Sequence, residues 1–400
     1  MYCFKSNVSS DLHDQFVINH PLSNLLQSSN WAKIKDNWDH DIVSVFKDDK
    51  IVASSLALIK PLPANFCMIY LPRGPIMDYE DANLVHFFFQ ELKKWAKKKH
   101  CLFISFDPAI ELRRFHLDNQ DAPNDIKALQ AIQTLEANGA IYKGQTMQIE
   151  QTIQPRFHMA KPFVGQLEKD VPASTIKSIK AANKRHVKVG LCSQAELADF
   201  SKMIALTEQH KNVHLRNHDY FAKIMATYPN NSYLYLAKVD ASKYCHELEE
   251  QLCNAQATLK DPNATNNALK KAQQTINNVE KELPKIKALS EKYPQETTIA
   301  GGLMVGFGKN IEMLYAGRND DFKAFRPQYP LYMYKIQHSF DLGYTFVNMG
   351  GVEGSLNDGL STFKANFHPY VIEYVGEFDL PINKILYKLA KWAQKIKTGK

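Results

Sequence analysis

Apolar positions recur along this chain with two periods, and the changes from one to the other mark out its elements. Short runs rich in β-branched and apolar residues, bounded by turn residues, predict strands over 41–46 and 51–59 around an Asp48-Asp49-Lys50 turn, then over 67–71 and 101–106. Between the last two, Leu84, Val85, Phe88, Leu92 and Trp95 share one face of a helix over 83–98. A further helix is expected over 21–37. The second half repeats the order, with helices over 196–210 and 219–228, strands over 232–239, 297–307 and 310–316, a helix over 331–342 and a strand over 345–349. A repeated succession of helix, three strands, helix and strand predicts a duplicated α/β domain.

The second copy is interrupted from about Ala241 to Pro294. Tyr244, Leu248, Leu252, Ala255 and Leu259 form one helical stripe, and Leu269, Ala272, Ile276, Val279, Leu283, Ile286, Leu289 and Tyr293 form another. Pro262 and the Asp and Asn residues around it end the first helix. Two such stripes joined by a short turn predict an antiparallel helical hairpin, a coiled-coil arm with each limb about 35–40 Å long. Pro284 is expected to kink or break the second limb.

Composition narrows the class. A length of 400 residues exceeds what one core usually needs, so two domains are expected. No apolar run reaches the roughly 20 residues of a membrane span, and the first residues, Met1 to Asn7, are too polar for a secretion signal. The six cysteines show no CxxC pair or disulfide-scaffold spacing, which fits reduced thiols in a cytoplasmic protein. A formal net charge of +7 suits a phosphate-rich partner or an anionic membrane surface but demands neither.

Familiar cofactor motifs fail. Gly306-Phe307-Gly308 lacks a third glycine and opens no helix, and no phosphate-binding GxxxxGK[ST] loop occurs. His210, His214 and His218 have helical spacing, but no acid at HExxH spacing accompanies them, so an exposed helix end competes with a zinc site. The duplicated pattern is similar to the acetyltransferase fold, yet the [QR]xxGx[GA] loop that holds acetyl-CoA is missing, which favours another acyl donor. No cofactor or metal is expected.

Eight segments, in order, carry a closer resemblance. They are residues 27–38 (Gln-Ser-Ser-Asn-Trp-Ala-Lys-Ile-Lys-Asp-Asn-Trp), 73–78 (Arg-Gly-Pro-Ile-Met-Asp), 106–108 (Phe-Asp-Pro) and 152–156 (Thr-Ile-Gln-Pro-Arg). Then come 214–221 (His-Leu-Arg-Asn-His-Asp-Tyr-Phe), 314–317 (Leu-Tyr-Ala-Gly), 363–367 (Phe-Lys-Ala-Asn-Phe) and 373–378 (Glu-Tyr-Val-Gly-Glu-Phe). Together they resemble the FemABX peptidyltransferases, most closely the lipid II branching enzymes of the MurM and MurN type. The resemblance implies twin acetyltransferase-like (GNAT-like) domains, one built from 1–155 plus 375–400 and one from 156–240 plus 295–374, with the 241–294 arm inserted in the second. It implies an aminoacyltransferase that takes alanine, serine or glycine from aminoacyl-tRNA. The acceptor would be the third-residue amine of the stem peptide of lipid II or UDP-MurNAc-pentapeptide. A cytoplasmic location follows, with peripheral contact at the inner membrane face.

Residue roles carried by the resemblance are these. Lys33 and Arg216 match a clamp for the acceptor diphosphate, for which a point charge and a planar fork are suited, and Tyr220 and Tyr315 match the same pocket. Leu102 stands where the family has a tyrosine, which puts one acceptor contact in question. Asp107 is the candidate to orient or deprotonate the amine. Lys364 is the candidate for the developing oxyanion or the tRNA end, with Phe363 stacking on a base. Lys177, Lys180, Lys184 and Lys188, read as one face of a helix that also carries Arg185, suit a phosphate backbone; a solvated helix face competes with that reading. Two other functions stay open at this level: a binding adaptor without turnover that presents the arm, and an ordinary acetyl-CoA N-acetyltransferase.

Overall fold

The computed structural model describes residues 1–211 and 216–398. Two eight-stranded mixed sheets form two lobes. In the first, the order is Tyr2–Lys5, Asp39–Lys47, Lys50–Leu62, Phe66–Leu71, Cys101–Phe106, Phe378–Pro381 and Ile141–Tyr142, with Ile76–Met77 paired to Lys50–Leu62. In the second it is Lys188–Cys192, Ser232–Val239, Thr297–Phe307, Asn310–Arg318, Phe346–Val352, Phe157–Pro162, Tyr370–Tyr374 and Glu111–His116.

The repeat read from the sequence is visible in how strands pair. Each sheet holds one parallel pair, made across a helix: Phe66–Leu71 with Cys101–Phe106 across Ala82–Lys98, and Asn310–Arg318 with Phe346–Val352 across Gln328–Asp341. In the second lobe the parallel ladder ends at Glu312 opposite Asn348, and the longer strand runs on toward Arg318 paired only with Thr297–Phe307. In the first it ends at Leu71 opposite Phe106. Asp107 and the Glu312–Asn348 pair therefore occupy matching places, where parallel strands part.

The lobes exchange strands. Glu111–His116 lies in the second sheet, beside Tyr370–Tyr374, and Phe378–Pro381 returns to the first, beside Cys101–Phe106. A buried cluster spans both lobes, joining Leu25, Trp31, Leu56 and Tyr70 to Phe200, Phe221, Leu236 and Leu303. Burying apolar side chains of that size, at about 25 cal/mol per Å2, makes the lobes one body rather than two beads. Within the second sheet, Glu373 ties neighbouring strands together, with Arg113 and Arg156 both on its carboxylate.

The arm consists of helices Ala241–Lys260 and Asn266–Lys292, inserted between strands Ser232–Val239 and Thr297–Phe307. The second helix continues through Pro284 instead of breaking. The first limb is 20 residues long, about 30 Å and shorter than expected. Its base is part of the second lobe's core through Tyr244, Cys245, Leu248, Val279 and Ile286, whereas Ala255, Ala272 and Ile276 pack only against one another and Leu252. Removing the whole insert would thus open that core; only the outer part is separable.

Two sequence expectations change. Residues 21–37 are not one helix but a single turn at Leu25–Gln27 and a short helix at Trp31–Ile34. Side chains in the gap bond elsewhere: the Ser29 hydroxyl and backbone N–H reach Asp14, and the Gln27 amide reaches the Pro72 carbonyl and the Leu56 backbone. The basic helix Ala173–Lys184 stops before Lys188, which opens strand Lys188–Cys192. Arg185 and His186 turn the chain there, His186 at φ +59°, and Val187 enters the core.

Candidate functional site

Where the first parallel pair parts, strand Cys101–Phe106 delivers Asp107 into the interior, 2% exposed. Its Oδ1 accepts the Tyr70 hydroxyl and the Arg73 backbone N–H, each at 3.0 Å. Its Oδ2 lies 3.6 Å from the Arg73 guanidinium and takes no hydrogen bond among the described residues. Burial pushes the acid's pKa up to about 6, assisted by Glu377 and opposed by Arg73. Asp107 therefore changes charge close to neutral pH, unlike an ordinary carboxylate.

Arg73 carries the site across to the second lobe. It is buried, sits at φ +54° and lays its guanidinium 4.4 Å from the Tyr374 ring centroid. Its Nη2 donates to the Pro155 carbonyl at 2.7 Å and meets His158 Nε2 at 2.9 Å. An arginine can only donate, so His158 Nε2 accepts and the ring's proton is on Nδ1, facing Asn348 Oδ1 at 3.1 Å. Burial and the neighbouring guanidinium hold the His158 pKa well below the usual histidine range, so the ring stays neutral. Asn348 Oδ1 also accepts the Gly350 N–H at 2.9 Å. Beside it Glu312 is pushed up to about 7, by burial.

Lys364 closes this chain. Helix Gly359–Ala365, capped by Asp358, buries its side chain to 3% exposure, and Nζ donates to the Gly350 and Gly351 carbonyls at 3.0 Å each. Asp107 and Lys364, one from each lobe, are linked through Arg73, His158, Asn348 and the glycine loop. Gly350 has φ +85°, a conformation that glycine adopts without penalty. Phe363 turns the other way, packs on Tyr329, Tyr332 and Phe367, and lines a cavity of about 610 Å3 with Ala316, Gly317, Arg318 and Gln328.

The acceptor-clamp candidates form a second group. Arg216 is exposed and stands 5.1 Å from the Tyr220 ring centroid, and Tyr220 meets Tyr315 edge-on at 6.0 Å. Burial, then Tyr315, raises the Tyr220 hydroxyl above its usual range, so it remains a neutral donor. Lys33 is exposed on Trp31–Ile34. The lysine that senses Arg216 is Lys35, half-buried, its pKa lowered by burial and by that guanidinium. Two cations near enough for one to lower the other's pKa suit an anion. Lys35 lies inside a segment singled out from the sequence, but only the fold brings it within reach of the Arg216 charge.

The basic group is split. Lys177, Lys180 and Lys184 are exposed on Ala173–Lys184. Lys188 stands on the following strand, 3.9 Å from Glu296. Arg185 donates to Glu282 of the arm at 2.8 Å and so pins the helix to the arm. Leu102 is buried in the first sheet. His214 lies outside the described residues, and His218 Nδ1 is 3.2 Å from the Ser201 hydroxyl.

Sequence reasoning missed Arg73, His158, Glu312 and Lys335. Lys335 is fully buried on Gln328–Asp341, its Nζ without a hydrogen-bond partner among the described residues and 4.0 Å from the Tyr332 ring, and burial, then Lys364, pushes it down to about 7. A signal was present: Lys335 interrupts the apolar stripe of Leu331, Ile336 and Phe340.

Comparison with known proteins identifies the relatives of this architecture. The family model described as the FemAB family matches residues 8–395. The "Lipid II:glycine glycyltransferase" of Staphylococcus saprophyticus is 26% identical, covering 96% of this chain and 94% of its own length. The "Aminoacyltransferase FemA" of Staphylococcus epidermidis is 24% identical over 97% of both. Among solved structures, a crystal structure of FemX superposes with a TM-score of 0.75 at 24% identity, covering 96% of this chain and 99% of that one. The fold is thus the twin acetyltransferase-like one with an inserted helical arm.

Proposed function

The chain belongs to the FemAB family, and from that premise we propose that it transfers an amino acid from aminoacyl-tRNA to a peptidoglycan precursor. The observation that carries this reading is a match over nearly the whole chain to aminoacyltransferases of that family. The buried path between Asp107 and Lys364 supports it.

In the proposed reaction the third-residue amine of the stem peptide attacks the ester carbonyl carbon of the aminoacyl-tRNA. A C–N bond forms, the ester C–O bond breaks, and the tRNA hydroxyl leaves with a proton while the amine loses one. Asp107 Oδ2, which takes no hydrogen bond among the described residues, receives the amine's N–H; Arg73 and Tyr70 hold that carboxylate in place. Lys364 faces the oxyanion from a position fixed by two carbonyls. Phe363 and the cavity beside it receive the tRNA terminus, with Lys177, Lys180 and Lys184 on its phosphates. By strand membership, segments within 1–106, 141–142 and 378–381 build the first sheet, whereas 111–116 serves the second. Lipid II is the acceptor favoured by the name of one relative, and its use implies peripheral contact with the membrane's inner face. Among the described residues no helix is long and apolar enough to cross a membrane.

Incubation with charged tRNA and acceptor, followed by mass spectrometry, tests the reading: the acceptor should gain one aminoacyl increment on its third residue, and no gain with any of alanyl-, seryl- or glycyl-tRNA contradicts it. For the clamp, Arg216→Ala and Lys35→Ala should each weaken binding of UDP-MurNAc-pentapeptide by about 1.5–3 kcal/mol, with tRNA affinity unchanged. Lys33→Ala should cost less, because Lys33 is the more exposed. Titration calorimetry showing equal acceptor affinity in all three variants would remove the assignment.

The outer arm gives another test. Replacing residues 255–272 by a short Gly-Ser turn should leave the melting temperature of the lobes nearly unchanged, since the buried side chains of that stretch pack only on one another, Ile276 and Leu252. Transfer from full-length tRNA should fall several-fold more than transfer from a minimal acceptor-stem donor. Equal losses would make the arm a structural element.

A further inference from the structure

The C-terminal helix Lys384–Thr398 is half committed to the protein. Its inner face docks on the first sheet. Tyr387 stacks edge-on against Phe103 at 5.5 Å and its hydroxyl donates to Asp379 at 3.0 Å. Lys391 Nζ reaches Asp379 at 2.8 Å and lies 4.6 Å from the Phe103 ring. The outer face is left bare. Ile385 is 72% exposed, Leu389 56% and Trp392 65%, and the i, i+4, i+7 spacing aligns them in one stripe. Lys384 and Lys388, both exposed, border the stripe. The helix contains Lys384, Lys388, Lys391, Lys395 and Lys397 and no acidic residue. Lys93 lies close enough for the Lys384 charge to act on it, which extends the positive field beyond the helix.

We propose that this outer face lies on an anionic lipid bilayer, with Ile385, Leu389 and Trp392 entering the headgroup boundary. Three features of the surface choose a membrane over a protein partner or a second copy. A large indole at the polar–apolar boundary is suited to the membrane interface. Lysines beside an apolar stripe can bury their stems and keep their charges among headgroups. A helix without acids would repel an identical copy of itself, whereas anionic lipid neutralises it. The helix is amphipathic and lies flat on its sheet, so the contact is interfacial and not spanning. A lipid-linked acceptor, part of the proposed function, gives this contact a purpose, but the contact is measured without donor or acceptor, so the two readings fail separately.

The test is sedimentation of the full chain with vesicles of phosphatidylglycerol and cardiolipin, with phosphatidylcholine vesicles in parallel. Binding is expected to the anionic vesicles only and should weaken as salt is raised. Trp31 and Trp95 are buried and Trp38 is half-buried, so a blue shift of emission on binding should vanish in Trp392→Phe. The triple variant Ile385→Ser, Leu389→Ser, Trp392→Ser should lose at least tenfold in vesicle affinity, keep its melting temperature and retain turnover on soluble UDP-MurNAc-pentapeptide. The pair Lys384→Gln, Lys388→Gln, which leaves the apolar stripe intact, should lose affinity several-fold at low salt. Wild-type protein that stays in the supernatant with anionic vesicles would overturn the proposal. So would undiminished binding by the triple variant. A concentration-dependent dimer that the triple variant dissolves, without vesicle binding, would assign the face to a second copy instead.

Discussion

Lys364→Met should lower turnover by about a hundredfold or more while leaving acceptor affinity within about twofold. The expectation rests on how this amine is held: two backbone carbonyls from the glycine loop fix it in a buried position, where a charge acts more strongly than in water. Methionine keeps the length and apolar stem but removes the donor, so the Gly350 and Gly351 carbonyls lose a partner and the loop loosens as well. Saturating the enzyme with charged tRNA separates the two roles. A transition-state role leaves turnover low at saturation. A phosphate contact leaves turnover near wild type, raises the tRNA concentration needed and flattens the salt dependence of binding. Near-normal saturated turnover in Lys364→Met would end the catalytic assignment.

Asp107→Asn should remove most activity, again on the order of a hundredfold, and should do so with a pH signature. The acid is pushed up to about 6, so kcat/KM of the wild type should rise with pH through that value as the carboxylate forms. The variant should show a flat, low profile there. Stability should move the other way. A carboxyl whose folded pKa lies above its unfolded value of about 3.9 binds its proton more tightly when folded, so its contribution is lost as pH rises from about 4 to 6. For this one group the loss is about 3 kcal/mol, and Asp107→Asn does not suffer it. The stability of the variant relative to wild type should therefore improve by roughly that amount between pH 4 and pH 7. This differential holds whatever constant cost the variant incurs from the Arg73 ion pair. Parallel pH curves of unfolding free energy for the two proteins would show that Asp107 does not titrate near 6.

Much of the frame was legible because it rests on local periodicity. The stripes of Leu84 to Trp95 and of the arm, and the buried run Cys101–Phe106, announce their partners by burial alone. What failed locally did so for long-range reasons. The stretch 21–37 has helical spacing, yet Ser29 is claimed by Asp14 and Gln27 by Pro72 and Leu56, contacts that no window of sequence reveals. Lys188 continued a basic helical face in spacing, but Val187 had to enter the core and the chain turned before it.

The site divides in the same way. Asp107 and Lys364 were marked by residue type within recognisable segments. Arg73, His158 and Asn348, which join them, come from separate strands and loops of both lobes, and their roles arise only when the lobes share a core. Within residues 31–38 the resemblance marks Lys33, whereas the charge of Arg216 bears on Lys35, a proximity that no window of sequence reveals.

The central claim is that the acyl group comes from a charged tRNA. Alanyl-, seryl- and glycyl-tRNA, each radiolabelled in the amino acid, should be offered with lipid II or UDP-MurNAc-pentapeptide, beside a parallel reaction containing labelled acetyl-CoA. The expected result is label passing from at least one charged tRNA to the acceptor, none passing from acetyl-CoA, and loss of transfer in Lys364→Met. Acetyl transfer, or tight binding of tRNA with no label reaching either acceptor, would contradict it.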